Sequence, residues 1–195
     1  MARPAVFLDR DGTINEEVHY LSRPEDCRLI PGAGQALARL TRAGYALVVV
    51  SNQSGLARGY FSQADLAAVN RRLVEQLAEH GALVDAFYHC PHLAPEKGGV
   101  VDGYAIDCDC RKPSPGMVLK AASEHGLALD NRSYMIGDRL RDVACGKAAG
   151  LVSILVTCGQ DNPPPAFPLE TPDLVAEDLA RAVEWILSHE EGSRP

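Results

Sequence analysis

Three short apolar runs, residues 5–8, 45–50 and 133–136, each stop abruptly at a polar loop, and this pattern limits the fold more than any other feature of the chain. Runs of four to six apolar, largely β-branched residues bounded by Gly, Ser, Asn or Asp read as strands buried on both faces. Helical patterns lie between them. Leu66, Val69, Leu73 and Leu77 line one face of a predicted helix at 62–80, which Ser62 and Asp65 open with a variant of the capping box. Leu179, Ala182, Val183, Ile186 and Leu187 form a second apolar stripe near the C-terminus. Strands alternating with helices predict an α/β fold, a Rossmann-like parallel sheet with helices on both faces. The 195 residues suffice for one domain, and Pro163-Pro164-Pro165 reads as a stiff local loop within it.

The strand ends carry the chemistry. Phe7-Leu8-Asp9-Arg10-Asp11-Gly12-Thr13-Ile14-Asn15 sets two carboxylates two residues apart where the first strand breaks into a loop. Crowded carboxylates repel unless a positive charge sits between them, and hard divalent cations favour carboxylate oxygens. The second strand delivers Ser51-Asn52-Gln53-Ser54-Gly55. Arg111 and Lys112 stand just ahead of a predicted helix, with Ser114 as its cap and Pro115 at its first position. The third strand ends in Gly137-Asp138-Arg139-Leu140-Arg141-Asp142. A bare Asp-x-Asp, a serine after a strand or a single lysine is usually a turn, a cap or a solvated charge. Their ordered recurrence at strand ends, where open parallel sheets bind ligands, reverses that reading.

Six cysteines suit a reducing compartment poorly as disulfides. Cys90-x-His92 and Cys108-x-Cys110 together offer three thiolates and an imidazole, a closed tetrahedral set of the kind that structural zinc prefers. Cys27, Cys145 and Cys158 read as scattered reduced thiols. The N-terminus lacks a signal-peptide pattern and no apolar run reaches membrane-spanning length, so a cytoplasmic location is expected. A net charge of −7 argues against general affinity for nucleic acid or anionic membranes. A monomer is the expected state.

The Asp-x-Asp-Gly-Thr signature and the three motifs after it resemble the haloacid dehalogenase superfamily, most of whose members are phosphatases working through an aspartyl-phosphate. That resemblance implies Asp9 as nucleophile and Asp11 as general acid and base. It implies Ser51 and Lys112 as holders of the transferring phosphoryl group. It also implies a magnesium site made by Asp9, Asp138 and the backbone carbonyl of Asp11. Asp142 would orient a metal-bound water or cap the following helix. The chemistry suits the residues, since a carboxylate nucleophile splits one hard step into two easier ones.

Within that superfamily, Cys-Pro-His at 90–92, Cys-x-Cys-Arg-Lys-Pro at 108–113, Ser-Asn-Gln-Ser-Gly at 51–55, Ala57-Arg58-Gly59-Tyr60-Phe61 and Pro115-Gly116-Met117 resemble the D-glycero-D-manno-heptose-1,7-bisphosphate 7-phosphatases. These are capless enzymes with a zinc loop, acting on the route to nucleotide-activated heptose for lipopolysaccharide core or surface glycans. The resemblance implies a small phosphosugar substrate, with Arg111 recognising it through the distal phosphate. Asn52, Gln53, Ser54 and the segment Glu17-Val18-His19-Tyr20 would line the pocket. Glu17 stands where the family has Asp, and the loop between His92 and Cys108 is slightly long. Histidinol-phosphate phosphatase shares all four motifs and the zinc loop, but Ser54 and Ser114 favour the sugar enzyme. A DNA-end 3′-phosphatase is disfavoured by the acidic balance. A non-catalytic phosphosugar-binding module is disfavoured by the joint presence of Asp9, Asp11, Lys112 and Asp138.

Overall fold

The structure, a computed structural model, describes residues 2–159 and 162–191. Six strands, β1 (Ala5–Leu8), β2 (Ala46–Asn52), β3 (Ala86–Cys90), β4 (Tyr134–Gly137), β5 (Val152–Val156) and β6 (Leu174–Ala176), form one sheet in the order β3-β2-β1-β4-β5-β6. Every pairing is parallel. Five helices connect or flank them: α1 (Ala33–Arg42), α2 (Gln63–Glu79), α3 (Gly116–His125), α4 (Leu140–Ala148) and α5 (Leu179–Glu191).

Alternation along each strand explains why both sheet faces are covered. In β1, Val6 and Leu8 point into one core while Ala5 and Phe7 point into the other. The first core packs Leu37 and Leu40 of α1, Val69, Leu73 and Leu77 of α2, and Ala182, Val183 and Ile186 of α5. The second packs Met117, Val118 and Ala121 of α3 with Cys145 of α4. Each fully buried Leu or Val contributes about 1.5–3 kcal/mol relative to an exposed one. Both predicted apolar stripes therefore lie in the same core, except for Leu66, which packs in a separate cluster with Leu56 and Phe61.

The capping box is present: the Asp65 amide donates to Ser62 Oγ, and the Ser62 amide donates to Asp65 Oδ2. One expectation is corrected. Pro115 is itself the N-cap of α3 and Gly116 its first residue, with no side-chain cap, so Ser114 lies one residue further out. A Cβ at Gly116 would lie 2.5 Å from the Asp109 carbonyl oxygen, so the preceding loop runs too close for any side chain there.

Strand order reverses about β1, which pairs with β2 on one side and β4 on the other. Such a switch point opens a crevice at the carboxyl ends of the strands. Asp9, Ser51, Cys90 and Asp138 stand at those ends.

Candidate active site

Lys112 is the hub of the crevice. Its Nζ lies 2.7 Å from Asp9 Oδ1, 2.7 Å from Asp142 Oδ1 and 2.7 Å from the Val50 carbonyl oxygen. The side chain is fully buried, and burial alone would drive off its proton. The charges of Asp142 and Asp9 outweigh that cost and push its pKa up to about 12. Asn52 fixes the backbone at this point: Nδ2 donates to the Lys112 carbonyl (3.0 Å), and the Lys112 amide donates to Asn52 Oδ1 (3.0 Å). Asp142 also accepts from the Arg139 amide (3.0 Å), so it caps α4, as one sequence expectation had it, while bracing Lys112.

One oxygen from each of Asp9, Asp138 and Asp142 lies within 4.8 Å of the others, and all three residues are buried. Both carboxylate oxygens of Asp138 lack a hydrogen-bond donor. Arg139 Nε approaches Oδ2 at 3.0 Å, outside hydrogen-bonding alignment. Burial, then the charges of Asp9 and Asp142, push Asp138 up to about 7. Burial likewise raises Asp9, against the opposing pull of Lys112. Gly12 permits the close approach of the two loops. Its φ is +81°, and a Cβ there would lie 2.6 Å from Asp138 Oδ2. Asp9, Asp11, Asp138 and Asp142 face two buried cations, Arg10 and Lys112. With Arg139 also 3.0 Å from Asp138, the carboxylates still outnumber the cations around them, and the excess of negative charge favours a bound cation. The donor set fits such an ion.

Asp11 faces elsewhere. Its Oδ1 accepts from Arg10 Nε (3.1 Å) and Asn15 Nδ2 (3.0 Å), and its Oδ2 from Arg10 Nη2 (2.9 Å) and Gln53 Nε2 (2.9 Å). Burial would raise this carboxyl, but Arg10 and these hydrogen bonds hold it below the ordinary value. Gln53 Nε2 also lies 2.7 Å from Ser51 Oγ, tying the second strand end to the first.

Cys90, His92, Cys108 and Cys110 converge beside this crevice. Their donor atoms are separated by 3.5 Å (Cys90–Cys108), 3.4 Å (Cys108–Cys110), 3.3 Å (His92 Nδ1–Cys110) and 3.9 Å (Cys90–His92 Nδ1). Four ligands at about 2.3 Å from a tetrahedral centre stand roughly 3.8 Å apart, whereas a disulfide needs about 2.05 Å. The set has the size of a zinc site. Burial pushes the Cys90 and Cys110 thiols up, an effect that a bound cation would reverse. Arg111 Nη1 donates to the His92 carbonyl (3.2 Å), so the cluster and the Arg111-Lys112 pair are held together.

A HAD-hydrolase-like family model matches residues 109–182. The chain is 48% identical over 193 residues to the D-glycero-D-manno-heptose-1,7-bisphosphate 7-phosphatase of Thermosynechococcus vestitus, covering 97% of this chain and 98% of that one. The chain belongs to that family. A crystal structure of the D,D-heptose 1,7-bisphosphate phosphatase from B. bronchiseptica, complexed with magnesium and phosphate, superposes with a TM-score of 0.78 at 36% identity, over 95% of this chain and 99% of that one. A HAD-like phosphatase structure from Mesorhizobium loti gives a TM-score of 0.80 at 41% identity, over 95% and 88% of the two chains.

The segments expected from sequence to line the pocket distribute unequally around the crevice. Glu17 lines a cleft with Gly12, Cys158, Glu177 and Asp178, at the edge of the carboxylate cluster. Val18 instead lines a hollow with Leu21, Asp26 and Arg28, whose walls include none of the four carboxylates. His19 and Tyr20 adopt left-handed backbone, with φ of 47° and 67°, and Tyr20 packs edge-on against Tyr60 (ring centroids 4.7 Å). Asn52 and Gln53 spend their amides on Lys112, Asp11 and Ser51, so they position the site from within. Ser54 stands half-buried at the turn that follows β2, its carbonyl accepting from the Arg58 amide. The loop after His92 closes onto this turn, where the Val100 and Val101 amides donate to the Ala57 carbonyl and Arg58 Nη2 to the Lys97 carbonyl. Arg111 lines a cavity with Lys97, Cys108, Pro113 and Ser114. Arg10 and Asn15 were not anticipated from sequence. A charged residue between two aspartates at a buried strand end was the available signal.

Proposed function

We propose that this chain removes the C7 phosphate of D-glycero-D-manno-heptose 1,7-bisphosphate, in the formation of nucleotide-activated heptose for surface glycans. The observation that carries the reading is the buried Asp9–Lys112–Asp142 constellation with the orphaned Asp138 carboxylate beside it, in a chain of this family. The residue roles are as follows. Asp9 attacks the phosphorus in line, and its Oδ–P bond forms as the P–O bond to the sugar breaks. Asp11 gives a proton to the departing sugar oxygen. A water then attacks the phosphorus of the aspartyl-phosphate and gives its proton to Asp11, releasing Asp9 and inorganic phosphate. Ser51 and Lys112 hold the phosphoryl oxygens, and Arg111 recognises the distal phosphate. Magnesium, held by Asp9, Asp138 and the Asp11 carbonyl, would supply charge neutralisation for the transferring group. The chain acts as a cytoplasmic monomer on a small molecule. Among the described residues no helix is long and apolar enough to cross a membrane.

The deciding experiment compares kcat/KM on heptose 1,7-bisphosphate and histidinol phosphate with magnesium present. A preference of at least about 10²-fold for the heptose is expected, since a site built to pair a second phosphate is left with unmatched charge by a substrate lacking one. A preference for histidinol phosphate would overturn the substrate and leave the residue roles standing.

Magnesium should also stabilise the fold in a pH-dependent way. Asp138 titrates near 7 in the fold, against an ordinary carboxylate value of 3.8. In the metal-free protein its charge therefore costs nothing below about pH 4 and costs most above pH 7, so stability falls as pH rises through that window. A bound divalent cation cancels the cost. The rise in melting temperature on adding magnesium should be larger at pH 8 than at pH 5, and an equal rise at both would exclude Asp138 as a ligand.

We assign structural zinc to Cys90, His92, Cys108 and Cys110. Coordination by four protein ligands is closed, so the ion would organise the 90–110 loop and fix where Arg111 and Lys112 point. Removing zinc should lower the melting temperature and increase proteolysis within 90–110. An unchanged melt after verified metal removal would refute the assignment.

A further inference from the structure

Arg10 is the buried residue whose chemistry remains unassigned. It is 1% exposed, and all three guanidinium nitrogens are engaged. Nε and Nη2 grip the two oxygens of Asp11, while Nη1 donates to Asn70 Oδ1 at 2.9 Å. Asn70 sits on α2, outside every sequence motif, and is half-buried. The Asp11 carboxylate is acceptor-saturated in this arrangement, with two donors on each oxygen. A carboxyl group so held cannot present a proton to a leaving group until one oxygen gives up its donors. The geometry identifies which one. Oδ2 shares Gln53 Nε2 with Ser51 Oγ, so Oδ2 faces the phosphoryl cradle and Oδ1 faces Asn15.

We propose that Asn70 and Arg10 form a positioning relay that anchors Asp11 through Oδ1 and aims Oδ2 at the leaving-group oxygen. Asn70 braces the guanidinium from α2, and Arg10 Nε with Asn15 keeps Oδ1 in place. Oδ2 then exchanges Gln53 and Arg10 Nη2 for the sugar oxygen, takes up a proton from water as those donors leave, gives that proton to the sugar oxygen as the P–O bond breaks, and returns to its donors as a carboxylate. The fork geometry of arginine allows one bond to be released while the other holds, which a lysine point charge cannot do. The relay rests on the reading of Asp11 as general acid and base.

The test separates leaving groups. Single-turnover phosphoryl transfer to the full-length protein is measured with heptose 1,7-bisphosphate, whose alkoxide needs a proton, and with 4-nitrophenyl phosphate, whose phenolate leaves without one. Asn70→Ala should slow transfer from the sugar about 10-fold, a fraction of the whole general-acid contribution, and transfer from the aryl ester less than about twofold. KM should stay within about twofold. Arg10→Lys should show the same split, enlarged. Equal losses on both substrates, or no loss, would overturn the relay and leave Asn70 a packing residue. Asp11→Asn is the control for the underlying reading. If it shows no leaving-group split, the acid–base role itself fails; if it shows the split and Asn70→Ala does not, only the relay fails.

Discussion

Asp9→Asn is expected to lower kcat on the phosphosugar by on the order of 10⁴-fold or more, while the protein remains folded. The amide is nearly isosteric but is a poor nucleophile, and no second carboxylate is placed to substitute. Asp138 is buried against Gly12, and Asp142 is committed to Lys112 and the α4 cap. Asp11 is tied to Arg10. The substitution also removes one of the negative charges that raise Asp138, which offsets the partner lost by Lys112. The melting temperature, followed by circular dichroism alongside the assay, should therefore move by no more than about 5 °C. Turnover within about tenfold of wild type would remove Asp9 from the nucleophile role. A collapse of the melt would show that the carboxylate is structural.

Lys112→Met should damage both stability and activity, and its stability effect should be the largest of any single substitution in the crevice. Methionine fills similar volume but supplies no charge, leaving Asp9 and Asp142 buried beside Asp138 without their common cation. Breaking a buried ion pair from one side costs about 3–5 kcal/mol, because the other charge stays uncompensated. For a chain of this size that is roughly 6–20 °C in melting temperature. Loss of a preorganised cation at the phosphoryl group should reduce kcat by at least about 10²–10³-fold. Adding Asp142→Asn to the variant separates the two effects. The asparagine keeps an acceptor for the Arg139 amide and removes one stranded charge, so part of the melting temperature should return while activity does not. A melt of Lys112→Met equal to wild type would mean that the three 2.7 Å contacts contribute little in solution.

Much of this protein was legible in its residues because the signals are local. The runs at 5–8, 45–50 and 133–136 became β1, β2 and β4 within two residues at each end, since a continuous apolar run can only be buried. The Ser62–Asp65 box opened α2 at the expected residue, because both partners lie within one turn. The α3 start was misjudged by one position, because the approach of Asp109 to Gly116 depends on where the preceding loop folds. Cys90, His92, Cys108 and Cys110 were picked out by residue type together with the family resemblance, and the fold brings their donor atoms within 4.8 Å of one another.

By itself the sequence determined the parallel α/β fold and the order of its polar motifs, because apolar runs and turn residues are local signals, while the resemblance to a known family singled out the four carboxylates. Only the tertiary structure decided how those charges are partitioned. It paired Lys112 with Asp9 and Asp142, left Asp138 without a donor, turned Asp11 onto Arg10, which Asn70 braces from α2, and set the amides of Asn52 and Gln53 against Lys112, Asp11 and Ser51. These pairings join residues as distant in the chain as Asp9 and Lys112. Which oxygen meets which nitrogen is fixed by the packing of α2 and α4 against the sheet, and no periodicity or local motif encodes it.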